Sequence, residues 1–212
     1  MSLVVDRGPV WTVTLDRPAR ANALSAGLVE ALHATLDEVA RARPDALVLR
    51  GNARHFAAGF DLGGLDLETD ATLALRFLRI GLLLERLLAA PYATVAVVEG
   101  AAVGAGADLV LACDHRLVDP SVTLRFPGSA FGVALGGVRR AELDGTWSTG
   151  LPADLDQALD QALDRRPART PHDSDAEVAA LARSVAVPGL HKRLTAYASE
   201  IRQTSPRKKE IA

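Results

Sequence analysis

The sequence predicts an α/β protein built around parallel strands. Segments with the pattern of strands alternate with segments of helical periodicity between residues 10 and 127. The helical segments are long enough to return the chain so that successive strands can lie side by side in the same direction. Two strand-like segments, residues 46–51 and 93–100, are continuous apolar runs, which indicates burial.

The first strand is predicted at residues 10–16, where apolar side chains and threonines alternate with a period of two. A helix follows the breaker Pro18; it is capped by Ser25 and runs to about residue 41. Residues 46–51 form the next strand. Four side chains at helical spacing form the buried face of that helix: Leu28, Leu32, Leu36 and Val39.

The same alternation continues after the second strand. Residues 52–67 are rich in glycine and predict a loop that leads into irregular or short helical structure. A long helix is predicted at residues 71–88 and a strand at residues 93–100, followed by a glycine-rich turn and a short apolar helix that ends near Cys113. Two further short strands are predicted, at residues 115–119 and 122–127.

The C-terminal part differs in character, because the strand signal disappears from about residue 141. Leucines spaced four apart predict a helix within residues 152–166, with Pro152 in its first turn. Another helix is predicted to open at Ser174, which has a glutamate in capping-box spacing. We therefore divide the chain into a core, residues 1–140, and a helical segment, residues 141–212, which is predicted to be a pocket lid or an oligomer contact.

Composition excludes several classes of partner. The formal net charge is -2 and no basic stripe crosses the body of the chain, so neither nucleic acid nor an anionic membrane is an expected partner. No apolar stretch is long enough to span a membrane, and no secretory signal is visible.

The single cysteine, Cys113, is expected to be a small buried residue and fits a reducing compartment. A cytoplasmic protein without a metal site is the expectation.

The segment "VVEGAAVGAGADLVLACD", residues 97–114, contains a glycine-rich turn between a strand and a helix. A phosphate-binding loop requires Lys and then Ser or Thr after the last glycine, whereas Ala107 and Asp108 stand there. A dinucleotide fingerprint requires a different glycine spacing. Two interpretations remain. The turn is purely structural, or its backbone N–H groups at the start of the helix act as donors that favour a negatively charged ligand.

A second glycine turn, "HFAAGFDL", occupies the corresponding position one crossover earlier in the chain. Backbone donors from two turns at neighbouring strand ends could converge on one oxygen atom, which is the requirement for an oxyanion hole. The pair of turns therefore favours a catalytic site over two unrelated structural turns.

Four stretches, in the same order, resemble the crotonase, or enoyl-CoA hydratase/isomerase, superfamily. The resemblance implies a crotonase-like spiral of ββα units with a helical C-terminal segment. It also implies a coenzyme A thioester as substrate, no tightly bound cofactor, and a homotrimer or hexamer, with a role in fatty acid metabolism. The stretches are residues 13–25, 47–65, 93–119 and, more weakly, 124–137.

The resemblance implies roles for individual residues. The amides of Phe60 and Ala105 correspond to the two donors that polarise the thioester carbonyl. The family usually has glycine in place of Ala105, so the extra methyl group is expected to restrict the acyl group. Arg20 and Lys192 correspond to candidate contacts with coenzyme A phosphates, and Ala58 lies where the family's backbone meets the adenine.

The carboxylates depart from the family pattern. Hydratases of the family carry two glutamates; Asp108 stands in place of the first, and Gly128 stands after Pro127 in place of the second. Hydration by two carboxylates is therefore doubtful, whereas isomerisation and related enolate chemistry with Asp108 as single acid/base is retained. Two functions follow: an enoyl-CoA hydratase/isomerase-type enzyme, or a catalytically impaired acyl-CoA-binding or auxiliary protein. A purely structural role for Asp108 at a helix start stays open.

Other charged residues near these motifs have simpler expected roles. Asp61 is expected to cap its loop, and Asp66 and Glu68 are expected to be solvated. Glu99 replaces a common asparagine and is expected to be a buried, paired acid. An arginine at position 125, where relatives tend to have glycine, could pair with Asp108 or Glu99.

Overall fold

The computed structural model describes residues 2–135, 148–149, 155–164 and 173–204. These residues alternate strands with helices, as predicted. The strands are β1 (Leu3–Asp6), β2 (Val10–Leu15), β3 (Ala46–Arg50), β4 (His55–Ala57), β5 (Ala93–Val98), β6 (Ala101–Val103), β7 (His115–Val118), β8 (Leu124–Arg125) and β9 (Ser148–Thr149). The helices are α1 (Ala26–Ala42), α2 (Asp70–Leu88), α3 (Ala105–Leu111), α4 (Leu155–Asp164), α5 (Ser174–Val185) and α6 (Leu190–Thr204).

The strands form two sheets. The larger sheet has the order β1-β2-β3-β5-β7-β9, and the smaller has the order β4-β6-β8. Only β1 and β2, among the described strands, pair antiparallel; the other pairs are parallel. The first unit, β1-β2-α1, has both strands in the large sheet, whereas β3-β4-α2 and β5-β6-α3 each place the first strand in the large sheet and the second in the small sheet. The ββα repeat expected from the sequence is thereby confirmed.

The long elements match their predictions closely. The hydroxyl of Ser25 accepts a hydrogen bond from the Leu28 amide at 3.2 Å and caps α1 as predicted. Four short strands, β1, β4, β6 and β9, were not predicted, because four residues or fewer show no clear period. Strand β9 lies in the C-terminal part, where no strand was expected, and pairs with β7. The predicted cap at Ser174 is wrong by one residue: Asp173 caps α5 by accepting from the Ala176 amide at 3.0 Å. Pro152 lies outside the described residues.

The core lies between the large sheet and the helices. Every residue of β5 is buried, in agreement with its continuous apolar sequence. Helices α1 and α2 cover the sheet with apolar faces, and Leu73, Phe77 and Ile80 of α2 are at most 1% exposed. Cys113 is buried, as expected. Within the ranges that the structure describes, no helix combines the length and the apolarity needed to cross a lipid bilayer.

Two C-terminal helices pack against α2. A Cβ at Gly81 of α2 would lie 2.4 Å from Cδ2 of Leu181 in α5, so the contact leaves no room for a side chain there. The carboxylate of Asp70 accepts from the amides of Gly189 and His191, both at 2.7 Å, and ties the start of α6 to the start of α2. These hydrogen bonds lower the pKa of Asp70. Helix α6 is thereby brought to the edge of the small sheet.

His33 is expected to make the stability of the fold depend on pH below about 6.5. Its ring lies 6% exposed between α1 and α2, with Nε2 3.0 Å from the Arg79 carbonyl and Nδ1 3.2 Å from Nη1 of Arg86. Burial is the main cause that lowers the pKa of His33; the hydrogen bond to the Arg79 carbonyl opposes it, and the positive charges of the two arginines add to the lowering. Over a range of pH the unfolded chain therefore binds a proton at His33 that the folded chain does not bind. The stability that neutral His33 contributes is complete above the unfolded pKa and is lost as the pH falls towards the folded pKa.

The measurement is the free energy of unfolding in urea between about pH 7 and pH 5.5, where one such group contributes a slope of up to about 1.4 kcal/mol per pH unit. His33→Gln is expected to remove most of this slope. His55→Gln is the comparison, because burial also lowers the pKa of His55. An unchanged slope in His33→Gln would contradict the assignment.

Candidate active site

The two predicted glycine turns lie in contact. Strands β4 and β6 run parallel, with Ala57 opposite Ala102, so the turns that follow them lie at the same edge of the small sheet. A Cβ at Gly59 would lie 2.5 Å from the Val103 carbonyl oxygen and 3.3 Å from the Ala105 nitrogen. The first turn therefore packs directly on the backbone of the second.

The amide of Phe60 points away from its neighbouring segment. Leu24 donates to the Gly59 carbonyl at 2.7 Å, and its own carbonyl accepts from the Asp61 amide at 3.3 Å. The Gly59 carbonyl and the Asp61 amide both bond to Leu24, and Phe60 stands between them in the chain. The Phe60 N–H is therefore directed away from Leu24. No described residue accepts a hydrogen bond from this amide.

Ala105 is the first residue of α3, and its amide has no acceptor within the helix. The preceding Gly104 has φ 55° and ψ -127°, a conformation that favours glycine. Gly104 also donates to the Arg125 carbonyl at 2.7 Å, which attaches this turn to β8. Among the described residues, the Ala105 amide likewise finds no hydrogen-bond partner.

A cavity of about 800 Å³ contains both donor residues in its wall. It lies between the ends of the small sheet's strands and helix α6, and is about the size that a small-molecule ligand requires. Polar side chains contribute to the wall at Arg125, Tyr197 and Thr204. Most of the remaining side chains are apolar, and they include Leu62, Phe77, Phe126, Phe131, Val133 and Leu135.

The Phe60 ring has two close partners in α2. It stacks on Phe77 with ring centroids 4.1 Å apart, and the Arg76 guanidinium lies 4.2 Å from its centre. Arg76 also donates to the Asp61 carbonyl at 2.8 Å and pairs with Glu68 at 2.7 Å. These contacts fix the backbone that carries the first donor. Sequence reasoning missed Arg76, because its partners are distant in the chain.

A second missed residue is Asn22, which is 0% exposed and has φ 54°. Its Nδ2 donates to the carbonyls of His55 and Phe56, both at 3.1 Å, and its Oδ1 accepts from the Arg17 amide at 2.8 Å. Asn22 thus joins residues 17–24, which precede α1, to β4. Asparagine tolerates positive φ, and this preference was the available sequence signal.

The structure brings some of the predicted site residues together and leaves others apart. Phe60, Ala105 and Ala58 all line the cavity, and the Ala58 amide donates to the Ala21 carbonyl at 3.0 Å. Arg20 and Lys192 are exposed and lie outside the cavity wall.

Asp108 is 0% exposed and is absent from the cavity wall. It lies on α3, three residues after Ala105, and therefore on the same side of the helix. Gly128, where the family's second acid would stand, is buried and does line the cavity.

The other charged residues have identifiable partners. Asp61 accepts from the Gly63 amide at 2.9 Å, which confirms its role as a loop cap. Glu68 is half-buried in its ion pair, so the expectation that it is solvated is wrong. Glu99 is half-buried and pairs with Arg50 at 2.8 Å. Glu99 was expected to be buried and is only partly so. It was expected to be paired, and its partner is Arg50 rather than Arg125.

Comparison with known proteins places the chain among its relatives. Residues 6–141 match the family model described as Enoyl-CoA hydratase/isomerase. A probable enoyl-CoA hydratase, echA6 of Mycobacterium tuberculosis, is 38% identical over 126 residues, which cover 59% of this chain and 50% of that protein. Ethylmalonyl-CoA decarboxylase of Homo sapiens is 31% identical over 128 residues, covering 58% and 41% of the two chains. The chain spans about half the length of the curated relatives it matches.

Solved structures extend the similarity over nearly the whole chain. A Bordetella parapertussis protein described as an enoyl-CoA hydratase/isomerase superposes with a TM-score of 0.86 at 33% identity, covering 94% of this chain and 99% of that one. An enoyl-CoA hydratase/isomerase from Xanthobacter autotrophicus Py2 superposes with a TM-score of 0.75 at 20% identity, covering 96% and 94%. The second similarity concerns the fold alone.

Proposed function

The chain belongs to the enoyl-CoA hydratase/isomerase family and has its crotonase-like fold, and from this membership we propose that it is an enzyme acting on an acyl-CoA through a thioester enolate. One observation carries the proposal. Phe60 and Ala105 lie in contacting turns and line one cavity, and their amides have no hydrogen-bond acceptor among the described residues. They are the donors of an oxyanion hole.

Two fixed amides are sufficient to stabilise the negative charge that enolate formation creates. Removing a proton beside a thioester carbonyl places negative charge on the carbonyl oxygen. Donors that are already oriented stabilise this charge without reorganising, and one such donor contributes about 3 to 4 kcal/mol of barrier stabilisation. The apolar wall strengthens the effect by excluding water.

The substrate is held along the segment that precedes α1. We propose that the nucleotide part of coenzyme A lies along residues 17–23, where Ala58 meets the adenine and Arg20 contacts a phosphate. Lys192, exposed on α6, is the second proposed phosphate contact. The thioester is a substrate and no tightly bound cofactor is proposed. A cytoplasmic homotrimer or hexamer with no nucleic-acid or membrane partner completes the proposal.

Asp108 is the proposed acid/base. Its position on the same side of α3 as Ala105 supports this role, because a proton carrier must lie beside the polarised carbonyl. Gly128 supplies no second carboxylate, so the two-glutamate addition of water is not proposed. A single acid suits double-bond isomerisation or decarboxylation to an enolate.

A second candidate function has its own observation. Asp108 exposes none of its surface and takes no part in the cavity wall, and Gly128 offers no replacement acid. This arrangement favours an acyl-CoA-binding or auxiliary protein with impaired catalysis.

Turnover of a 3-enoyl-CoA and of crotonyl-CoA by the protein and by Asp108→Asn separates the two functions. The enzyme is expected to isomerise the 3-enoyl-CoA, and Asp108→Asn is expected to lower the rate by about 100-fold or more while coenzyme A ester binding persists. Asp66→Asn, at an exposed position in a short 3-10 helix, is the matched control and should retain the rate. Tight ester binding without turnover in any variant would support the binding protein instead.

A further inference from the structure

An arginine stands in the wall of the apolar cavity, close to the proposed oxyanion hole. Arg125 ends β8, where its backbone is paired with Val103, two residues before the donor Ala105. The Arg125 carbonyl accepts from Gly104 at 2.7 Å. The Cα of Arg125 is therefore fixed beside the second donor turn, and the residue lines the cavity while remaining exposed to solvent.

No described carboxylate neutralises this arginine: none of them lies within 4.0 Å of its guanidinium, and the predicted pairing with Glu99 is replaced by Arg50–Glu99. Six described arginines lie 2.5–3.1 Å from a carboxylate oxygen: Arg7, Arg17, Arg50, Arg76, Arg79 and Arg86. Other exposed arginines, such as Arg20 and Arg41, also have no carboxylate partner among the described residues, but Arg125 differs from those two in lining the cavity. The charge of Arg125 is thus available to a ligand.

Tyr197 of α6 supplies a second donor to the same cavity. Its ring packs against Phe131, with centroids 5.0 Å apart, and its hydroxyl makes no hydrogen bond to the described part of the chain. Burial raises the pKa of Tyr197, and the charge of Arg125 opposes this rise only in part. The phenol is therefore protonated at neutral pH and can donate. Glu200, which also raises this pKa, lies outside the cavity wall.

We infer that Arg125 and Tyr197 form a carboxylate-binding subsite, and that the preferred substrate is the coenzyme A thioester of a dicarboxylic acid. The inference rests on the proposed function. A guanidinium offers a planar fork of N–H donors that matches a carboxylate, and a neutral phenol adds one more donor. Most other residues of the wall are apolar, including Phe126 next to Arg125 in the chain, and such a wall suits the methylene chain that joins the two acyl ends.

Binding of three compounds tests the inference: glutaryl-CoA, pentanoyl-CoA of the same chain length, and free coenzyme A. The protein is expected to bind glutaryl-CoA roughly tenfold or more tightly than pentanoyl-CoA. Arg125→Gln is expected to abolish this preference and to leave the affinity for pentanoyl-CoA unchanged. Tyr197→Phe should reduce the preference by roughly threefold. Arg41→Gln, at an exposed position at the end of α1, is the matched loss of charge and should retain the preference.

Each other outcome overturns the inference. An equal affinity of the unmodified protein for both esters shows that no carboxylate subsite exists. An equal loss for all three compounds in Arg125→Gln shows that the guanidinium binds a coenzyme A phosphate instead. If none of the three compounds binds, the proposed function fails and the subsite fails with it, whereas binding without discrimination removes the subsite alone. Thermal unfolding of each variant checks that it is folded.

Discussion

Gly106→Ala is expected to destabilise the protein by about 3 kcal/mol or more. Gly106 lies on α3, and its Cα faces the backbone of β4. A Cβ at this position would lie 2.3 Å from the carbonyl oxygen of Ala57 and 2.7 Å from the Ala57 Cβ. Both contacts are too short for non-bonded atoms, and the opposing atoms are backbone or a single methyl group that cannot rotate away. The helix must therefore move off the sheet.

The free energy of unfolding in urea measures this effect. Gly27→Ala is the matched control, because Gly27 is also in a helix and a Cβ there meets nothing within 4 Å. Alanine is the better helix former, so this control is expected to be equally stable or more stable by about 0.5 to 1 kcal/mol. Equal stabilities of Gly106→Ala and the unmodified protein would contradict so close a contact between α3 and β4.

The part of the fold that the sequence predicted is the part with long, periodic elements. Helices α1 and α2 have 17 and 19 residues, and their apolar side chains recur often enough to define a buried face. Strands β4 and β6 have three residues each and lie within glycine-rich segments. They are strands because they pair with each other, and no local pattern carries that information.

The site shows the same division between local and distant information. The two glycine turns were predicted as neighbours, because the order of strands and helices places their strand ends together. The roles of Arg76 and Asn22 depend on hydrogen bonds to residues 15 and 33 or more positions away in the chain. The cap of α5 was misplaced because Asp173 and Ser174 are both good cap residues, and only the backbone geometry selects Asp173.

Gly59→Ala is expected to lower kcat/KM for a 3-enoyl-CoA by about 100-fold or more. Gly59 has φ 82°, so alanine there adopts a strained backbone conformation. Its Cβ would also lie 2.5 Å from the Val103 carbonyl oxygen and 3.3 Å from the Ala105 nitrogen, which belong to the second donor turn. The two turns must separate, and the amides of Phe60 and Ala105 can then no longer form the proposed oxyanion hole.

Gly64→Ala distinguishes displacement of the turns from backbone strain. Gly64 has φ 69°, close to the value at Gly59, and a Cβ there meets nothing within 4 Å. Both alanines therefore carry a similar penalty of about 1 to 2 kcal/mol from backbone strain, whereas the clash with Val103 is added in Gly59→Ala alone and separates the donors. Rate constants and urea unfolding are measured for both variants. If the two lose activity equally, strain accounts for the loss and the contact of the turns has no catalytic role. If Gly59→Ala alone loses it, the rate depends on the spacing of the two amides, which is the geometry that an oxyanion hole requires.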